Sequence, residues 1–295
     1  MGDHHHGHAH DRSGKRLGLA VLFTLGFAGV EVVGGLWANS LALISDAGHM
    51  LTDASALGLA ALAAWLAHRP PSRRHSYGLG RVEILAALFN ALLMIALVAG
   101  IAASAVGRLL EPRPVTGQAV MIVATIGLVV NIVVAWMLMG EHENINVRGA
   151  LLHVMGDLLG SVAALISGVV ITFTGWTPVD PLLAMLIAAL ILFSSLRLLR
   201  ESLHSLLDGV PFSLDLEAVR RRLAGIEGVR EVYDLHIWQL SAGRVALSAH
   251  VRVDDVNQWP ALARRLTQLA GEDFGIDHVT LQPHNGDHPP RGCDT

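Results

Sequence analysis

Residues 40–68 read SLALISDAGHMLTDASALGLAALAAWLAH, a stretch apolar enough to cross a bilayer that nevertheless holds His49 and Asp53. The same His-x-x-x-Asp pattern recurs as His153 and Asp157 inside residues 148–173, RGALLHVMGDLLGSVAALISGVVITF. A spacing of four puts each pair on one face of a helix, one turn apart. Ionisable groups at membrane depth are costly, and they face a bundle interior or a water-filled cavity. One such pair is adequately explained as an interhelical hydrogen bond. Two copies on two helices are much harder to explain that way. Two imidazoles and two carboxylates also complete the tetrahedral set that a divalent metal such as zinc takes.

The rest of the chain fits that environment. It is 52% hydrophobic and only 16% charged, and its apolar residues come in long runs; the mean hydropathy is +0.49. Ordinary soluble domains are more charged than this. A formal net charge of −4 offers no argument for a nucleic-acid partner. Cys293 is the single cysteine, so no disulfide forms within the chain. No cleavable secretory signal is expected, because the first apolar run is a full span preceded by the polar, His-rich MGDHHHGHAHDRSGKR.

Apolar stretches near 20 residues long predict six spans, at residues 17–36, 41–67, 82–106, 115–139, 147–173 and 181–199. Arg12, Lys15, Arg16, Arg69, Arg73, Arg74, Arg81, Arg148, Arg197 and Arg200 flank one side; Arg108 and Arg113 flank the other. The positive-inside rule therefore expects both termini in the cytoplasm, which requires an even number of spans. After residue 202 the pattern changes. A helix in SLDLEAVRRRLAGI, strands in VREVYDLHIWQL and RVALSAHVRV, a helix over 259–274 and a strand in IDHVTLQPH predict a ferredoxin-like α+β module with antiparallel pairing. The expected fold class is thus an all-α six-helix transmembrane bundle plus a C-terminal cytoplasmic α+β domain of ferredoxin-like, metallochaperone-like type. The expected division is a His-rich tail over 1–16, a transmembrane domain over 17–205, the cytoplasmic domain over 206–284 and a flexible tail over 285–295.

Several long motifs together resemble the cation diffusion facilitator family, and the likeness covers nearly the whole chain. SLALISDAGHMLTD (40–53) is similar to its second-helix signature and NVRGALLHVMGDLLGSV (146–162) to its fifth. YGLGRVEILAALFN (77–90) resembles the start of its third helix. VDPLLAMLIAALIL and LRESLHSLLDGVP resemble its sixth helix and exit, and YDLHIWQLSAGRVALSAHV (233–251) its cytoplasmic domain. The resemblance implies a homodimeric membrane protein, in a bacterial inner membrane, that exports a divalent cation from the cytoplasm by alternating access in exchange for H+. It makes His49, Asp53, His153 and Asp157 the transport ligands. The His-x-x-x-Asp form on both helices resembles the zinc-preferring branch. Asp46 matches no ligand position and is read as a polar or pathway group. Proton exchange also has a direct physical basis: an imidazole must be neutral to ligate, and it titrates near neutral pH.

The same resemblance makes His236 and His250 ligands of a regulatory metal that is expected to tighten the dimer. His284 is the third candidate ligand of that site, standing in the last strand where the family typically has an acidic residue, and His278 has no assigned role. In the second loop, His75, with His68 nearby, is the nearest match to a further family metal site, but without its acidic partner a solvated basic loop is favoured. HHHGHAH has a metal-capturing composition. His142 with Glu141 and Glu143 is read as a solvated loop, and the tail residues His288 and Cys293 are open between metal capture and no effect. Glu31, Glu83, Asn90, Asn131 and Asp180 are candidate pathway or packing groups. Three rivals stand beside zinc export. One is export of Cd2+, Co2+, Fe2+ or Mn2+, since ligand type disfavours only manganese. Another is a sensor that binds metal without moving it. The third is a membrane zinc hydrolase, which would need an open metal position and a general base; no HExxH is present.

Overall fold

The computed structural model describes residues 7–138, 145–241 and 243–285; the side chains of residues 7–21, 138, 145–150, 152 and 153 lie outside that description. The chain divides into two compact units. One comprises Met1–Gly58 and Asn90–Arg197, and the other Leu59–Phe89 and Leu198–Thr295.

Among the described residues, six long helices cover the expected apolar runs: α1 (Gly7–Ala38), α2 (Leu41–Ala67), α3 (Arg81–Leu110), α4 (Gly117–Leu138), α5 (Ile145–Thr174) and α6 (Val179–Leu206); α1 begins ten residues before the expected span, within the stretch expected to be a tail. Among the described residues, five helical segments are long and apolar enough to span a membrane; Leu22–Ala38 adds a shorter one. Their outward faces carry large exposed apolar side chains, Phe173, Phe193 and Trp136 among them. In lipid, exposure of this kind is the favourable arrangement.

The first unit has two apolar seams. Phe27, Ala28, Leu43, Met50, Val120, Ala124 and Ala164 join α1, α2, α4 and α5. Met94, Val98, Ile101 and Ala105 of α3 meet Ala184, Ile187 and Ile191 of α6, with Leu41 of α2 at one end. Small residues bring backbones together. A Cβ on Gly168 would lie 2.7 Å from the Met121 amide nitrogen, and one on Gly117 would lie 2.8 Å from that of Thr172. Close approach of this kind holds helices in a solvent as apolar as their own side chains.

The second unit contains the C-terminal module, ordered α7 (Leu216–Ala224), β1 (Val229–Ser241), β2 (Arg244–Val253), α8 (Trp259–Phe274) and β3 (His278–His284). Asp215 caps α7 by accepting from the Glu217 amide at 3.0 Å. Gly275, at φ +66, ends α8 in the left-handed region that favours glycine. Val219, Leu223, Ile237, Leu247, Val251, Leu262, Leu266 and Ile276 form the core between helices and sheet. Each large side chain buried there stabilises the fold by about 1.5–3 kcal/mol.

The sheet order is β1-β2-β3. As expected, β1 and β2 pair antiparallel, with Ile237 opposite Leu247. The expected antiparallel pairing fails for β3, which runs parallel to β2 with Ser248 opposite Thr280. The reason is the connection. A tight turn reverses the chain between β1 and β2, whereas α8 is a crossover that returns it in the same direction.

Candidate metal centre

On α2, His49 Nδ1 lies 3.8 Å from Asp53 Oδ2, and both side chains are about four-fifths buried. On α5, Asp157 is buried at 1% exposure. His153 belongs to the same helix one turn earlier, and its side chain lies outside the described residues. Among the described residues, no three His, Cys, Asp or Glu side chains are drawn together tightly enough to hold an ion as they stand. His49, Asp53 and Asp157 are therefore not gathered into one ligand set among the described residues.

The bundle interior also holds buried polar side chains. Glu31, Asp46, Asp157 and Asn131 are all buried, and they come from α1, α2, α5 and α4. Asn131 Nδ2 donates to Ser161 Oγ at 3.1 Å. Asp46 reaches across to α5, where its carboxylate occupies the space a Cβ would take at Gly160. Glycine is required at 160 for that approach. Asp46 and Glu31 stand out in the sequence only as polar residues in apolar runs, so the packing is new information. Carboxyl and amide oxygens buried here offer acceptors to a cation rather than to an anion.

The module carries a second constellation. His250 Nδ1 and His284 Nε2 are 2.7 Å apart, with rings stacked at 4.8 Å and 10°. A proton occupies that gap, because two imidazole nitrogens this close need a donor and an acceptor. Asp234 joins the cluster. One oxygen lies 2.9 Å from His236 Nε2, and the other lies 3.6 Å from His250 Nε2. Asp234 reaches this place because β1 is bulged between Tyr233 and His236 and Asp234 adopts φ +50. A bulge re-aims a side chain in this way. The sequence signal that points to Asp234 is its position two residues before His236. Burial, with His250 and Arg252 adding to it, pushes the His284 imidazole below its ordinary range.

The second-loop histidines are not brought together. His68 Nδ1 lies 2.6 Å from the Ala64 carbonyl oxygen, and His75 Nδ1 lies 3.5 Å from Ser72 Oγ. Both are exposed, which fits the solvated loop favoured above. His278 packs edge-on against Tyr77, with ring centroids 5.7 Å apart. HHHGHAH, His142 with its neighbouring glutamates, His288 and Cys293 fall on residues or side chains outside the description.

Two family models match the chain: "Cation efflux transmembrane domain" over residues 17–207 and "Cation efflux protein, cytoplasmic domain" over residues 211–284. The chain is 42% identical over 287 residues to zinc transporter ZitB of Escherichia coli (strain K12), covering 94% of this chain and 91% of that protein. It is 37% identical over 294 residues to the "Cadmium, cobalt and zinc/H(+)-K(+) antiporter" of Bacillus subtilis (strain 168), covering 96% and 94%. It is 42% identical over 281 residues to the metal cation efflux system protein CzcD of Cupriavidus metallidurans, covering 94% and 89%. A solved structure of the metal-bound C-terminal domain of a CzcD transporter is 35% identical, covers 24% of this chain and 99% of that one, and has a TM-score of 0.23.

Proposed function

We propose that this chain, which belongs to the cation efflux family, exports Zn2+ from the cytoplasm through a site formed by His49, Asp53, His153 and Asp157. It is an integral membrane protein and a transporter rather than an enzyme. Relatives similar along nearly their whole length are named as zinc transporters, and another as an antiporter of cadmium, cobalt and zinc. The observation that carries the site is the pairing of His49 with Asp53 on α2, with Asp157 buried on α5. Two neutral imidazoles and two carboxylates bind zinc tetrahedrally with balanced charge, leaving no open position for hydrolysis.

Proton exchange follows from the same ligands. Metal can enter only when both imidazoles are neutral, so protonation from the far side displaces the ion and resets the site. Both termini face the cytoplasm, in a bacterial inner membrane, and two copies assemble as a homodimer through the cytoplasmic domain. In that domain a regulatory metal replaces the proton between His250 and His284. Asp234 orients His250 through its other ring nitrogen, and His236 holds Asp234 in place.

Zinc flux into proteoliposomes under an imposed pH gradient is the direct test. Flux should fall when the gradient is collapsed and disappear in His49→Ala; undiminished flux in that variant would sink the site. Running cadmium and cobalt beside zinc establishes the cargo.

A further inference from the structure

Asp180 is the second residue of α6 and is fully buried, 0% exposed. Nothing in the metal chemistry above uses it. Its donors come from three elements. Ser40 Oγ and the Leu41 amide each donate to it at 2.5 Å, and the Ala42 amide at 3.4 Å. Ser167 Oγ of α5 donates at 3.4 Å, and Arg108 of α3 stands 3.7 Å away. Arg108 also donates to the Asn39 carbonyl at 2.5 Å and to Asn39 Oδ1 at 3.0 Å. Asn39, at φ +54, donates in turn to the Pro114 carbonyl at 2.9 Å.

The local chemistry explains why a carboxylate belongs there. The first amides of a helix lack intrahelical acceptors and carry partial positive charge. Ser40 caps α2 from within, accepting from the Leu43 amide at 3.3 Å. That leaves Leu41 and Ala42, and Asp180 meets both from another helix. One negative charge thus lies between the first turns of α2 and α6. Four donors and a guanidinium offset its burial, which a lone carboxylate could not sustain.

The two helices tied by this carboxylate are the ones that carry the proposed transport ligands. Leu41 precedes His49 by eight residues, about 12 Å along α2; Ser167 follows Asp157 by ten, about 15 Å along α5. Both helices are rigid over such lengths, so a shift at the knot reaches the ligands nearly undiminished. We propose that Asp180 is a positioning residue of the transport site: its carboxylate, bonded to the first turn of α2 and to Ser167 of α5, holds the two ligand-bearing helices at one relative height and rotation. The proposal rests on the assignment of the transport site above.

The test is zinc transport by the full chain in proteoliposomes, with KM and maximal rate per folded molecule measured separately. Asp180→Asn keeps the volume and removes the charge. Loss of a group that orients metal ligands costs about 10–100-fold in affinity, so zinc KM should rise about tenfold or more. A cap that served folding alone would lower the yield of folded protein and leave KM where it was; that result overturns the proposal. Ser167→Ala removes only the α5 contact and should raise KM by a smaller factor, about threefold. Should Asp180→Asn not fold, an unchanged KM in Ser167→Ala overturns the proposal by itself. His49→Ala is run alongside. Native KM there overturns the site assignment and the proposal with it, whereas native KM in Asp180→Asn alone overturns only the proposal.

Discussion

The bundle and the C-terminal module both gather histidines and carboxylates, but they do so by different means. In the bundle, partners sit four residues apart on one helix, and pairing follows from the helical repeat. In the module, the partners come from three strands, and contact depends on register, on a parallel crossover and on a bulge at Asp234. In the bundle, His49 and Asp53 are about four-fifths buried, and Glu31, Asp46 and Asp157 are buried almost completely. The module cluster stands at the edge of solvent, with His236 59% exposed. A buried set suits an ion carried through the protein; a half-exposed set suits an ion that exchanges with the cytoplasm. The first should be indispensable and the second adjustable.

The largest effects should therefore fall in the bundle. Asp157→Ala should reduce zinc flux by about 100-fold or more, beyond the upper range for groups that only orient a ligand. His49→Asp should keep transport and relax the preference for zinc, measured as the ratio of cadmium to zinc flux, because oxygen ligands discriminate less among these metals. Equal losses of flux in His250→Ala and Asp157→Ala would erase the distinction between the two clusters.

If the proposed regulatory zinc binds in the module, His250→Ala should abolish that binding while flux at saturating zinc persists. Asp234→Asn should weaken that binding by about tenfold, since it alters only the group orienting His250. Calorimetry on the full chain with each substitution checks both. If Asp234→Asn bound zinc as the native chain does, the bulged residue would have no part in the site.

A smaller effect comes from packing. Gly160→Ala drives a Cβ into the Asp46 carboxylate and should cost about 1–3 kcal/mol, as overpacking does. A lowered thermal midpoint in detergent would report it. A methyl tolerated without loss would mean that Asp46 has room to leave α5.

The smallest effect is the module's response to acid. His284 is held below its ordinary range, so the unfolded chain binds this proton more readily than the folded one. Its contribution to stability is complete above roughly pH 6.5, the ordinary histidine value, and is lost as pH falls through the depressed folded value. Unfolding of the metal-free protein should ease slightly from pH 7 to pH 5, and His284→Gln should flatten that slope.

Much of the bundle is legible without coordinates. Spans of about 20 apolar residues leave the backbone no option but helix in lipid, so the expected span over 41–67 coincides with α2. In the module, α8 and β2 coincide with their alternation patterns, while the pairing of β3 does not. Periodicity reports which residues share a face but not which neighbour a strand takes. Asp180 reads in the sequence as one more polar residue near a span, because a cap supplied by a different helix leaves no local spacing to find.

The sequence by itself determined the six apolar helices, the placing of His49 with Asp53 and His153 with Asp157, and the change to an α+β module. Each is a local property, set by hydropathy, helical repeat or strand alternation along one element. Only the tertiary structure decided that Asp46 enters the notch at Gly160, that β3 runs parallel to β2, that Asp234 turns toward His236 and His250, and that Asp180 closes the first turn of α2. Those contacts join residues from separate elements, and their energies depend on distances that no local pattern encodes.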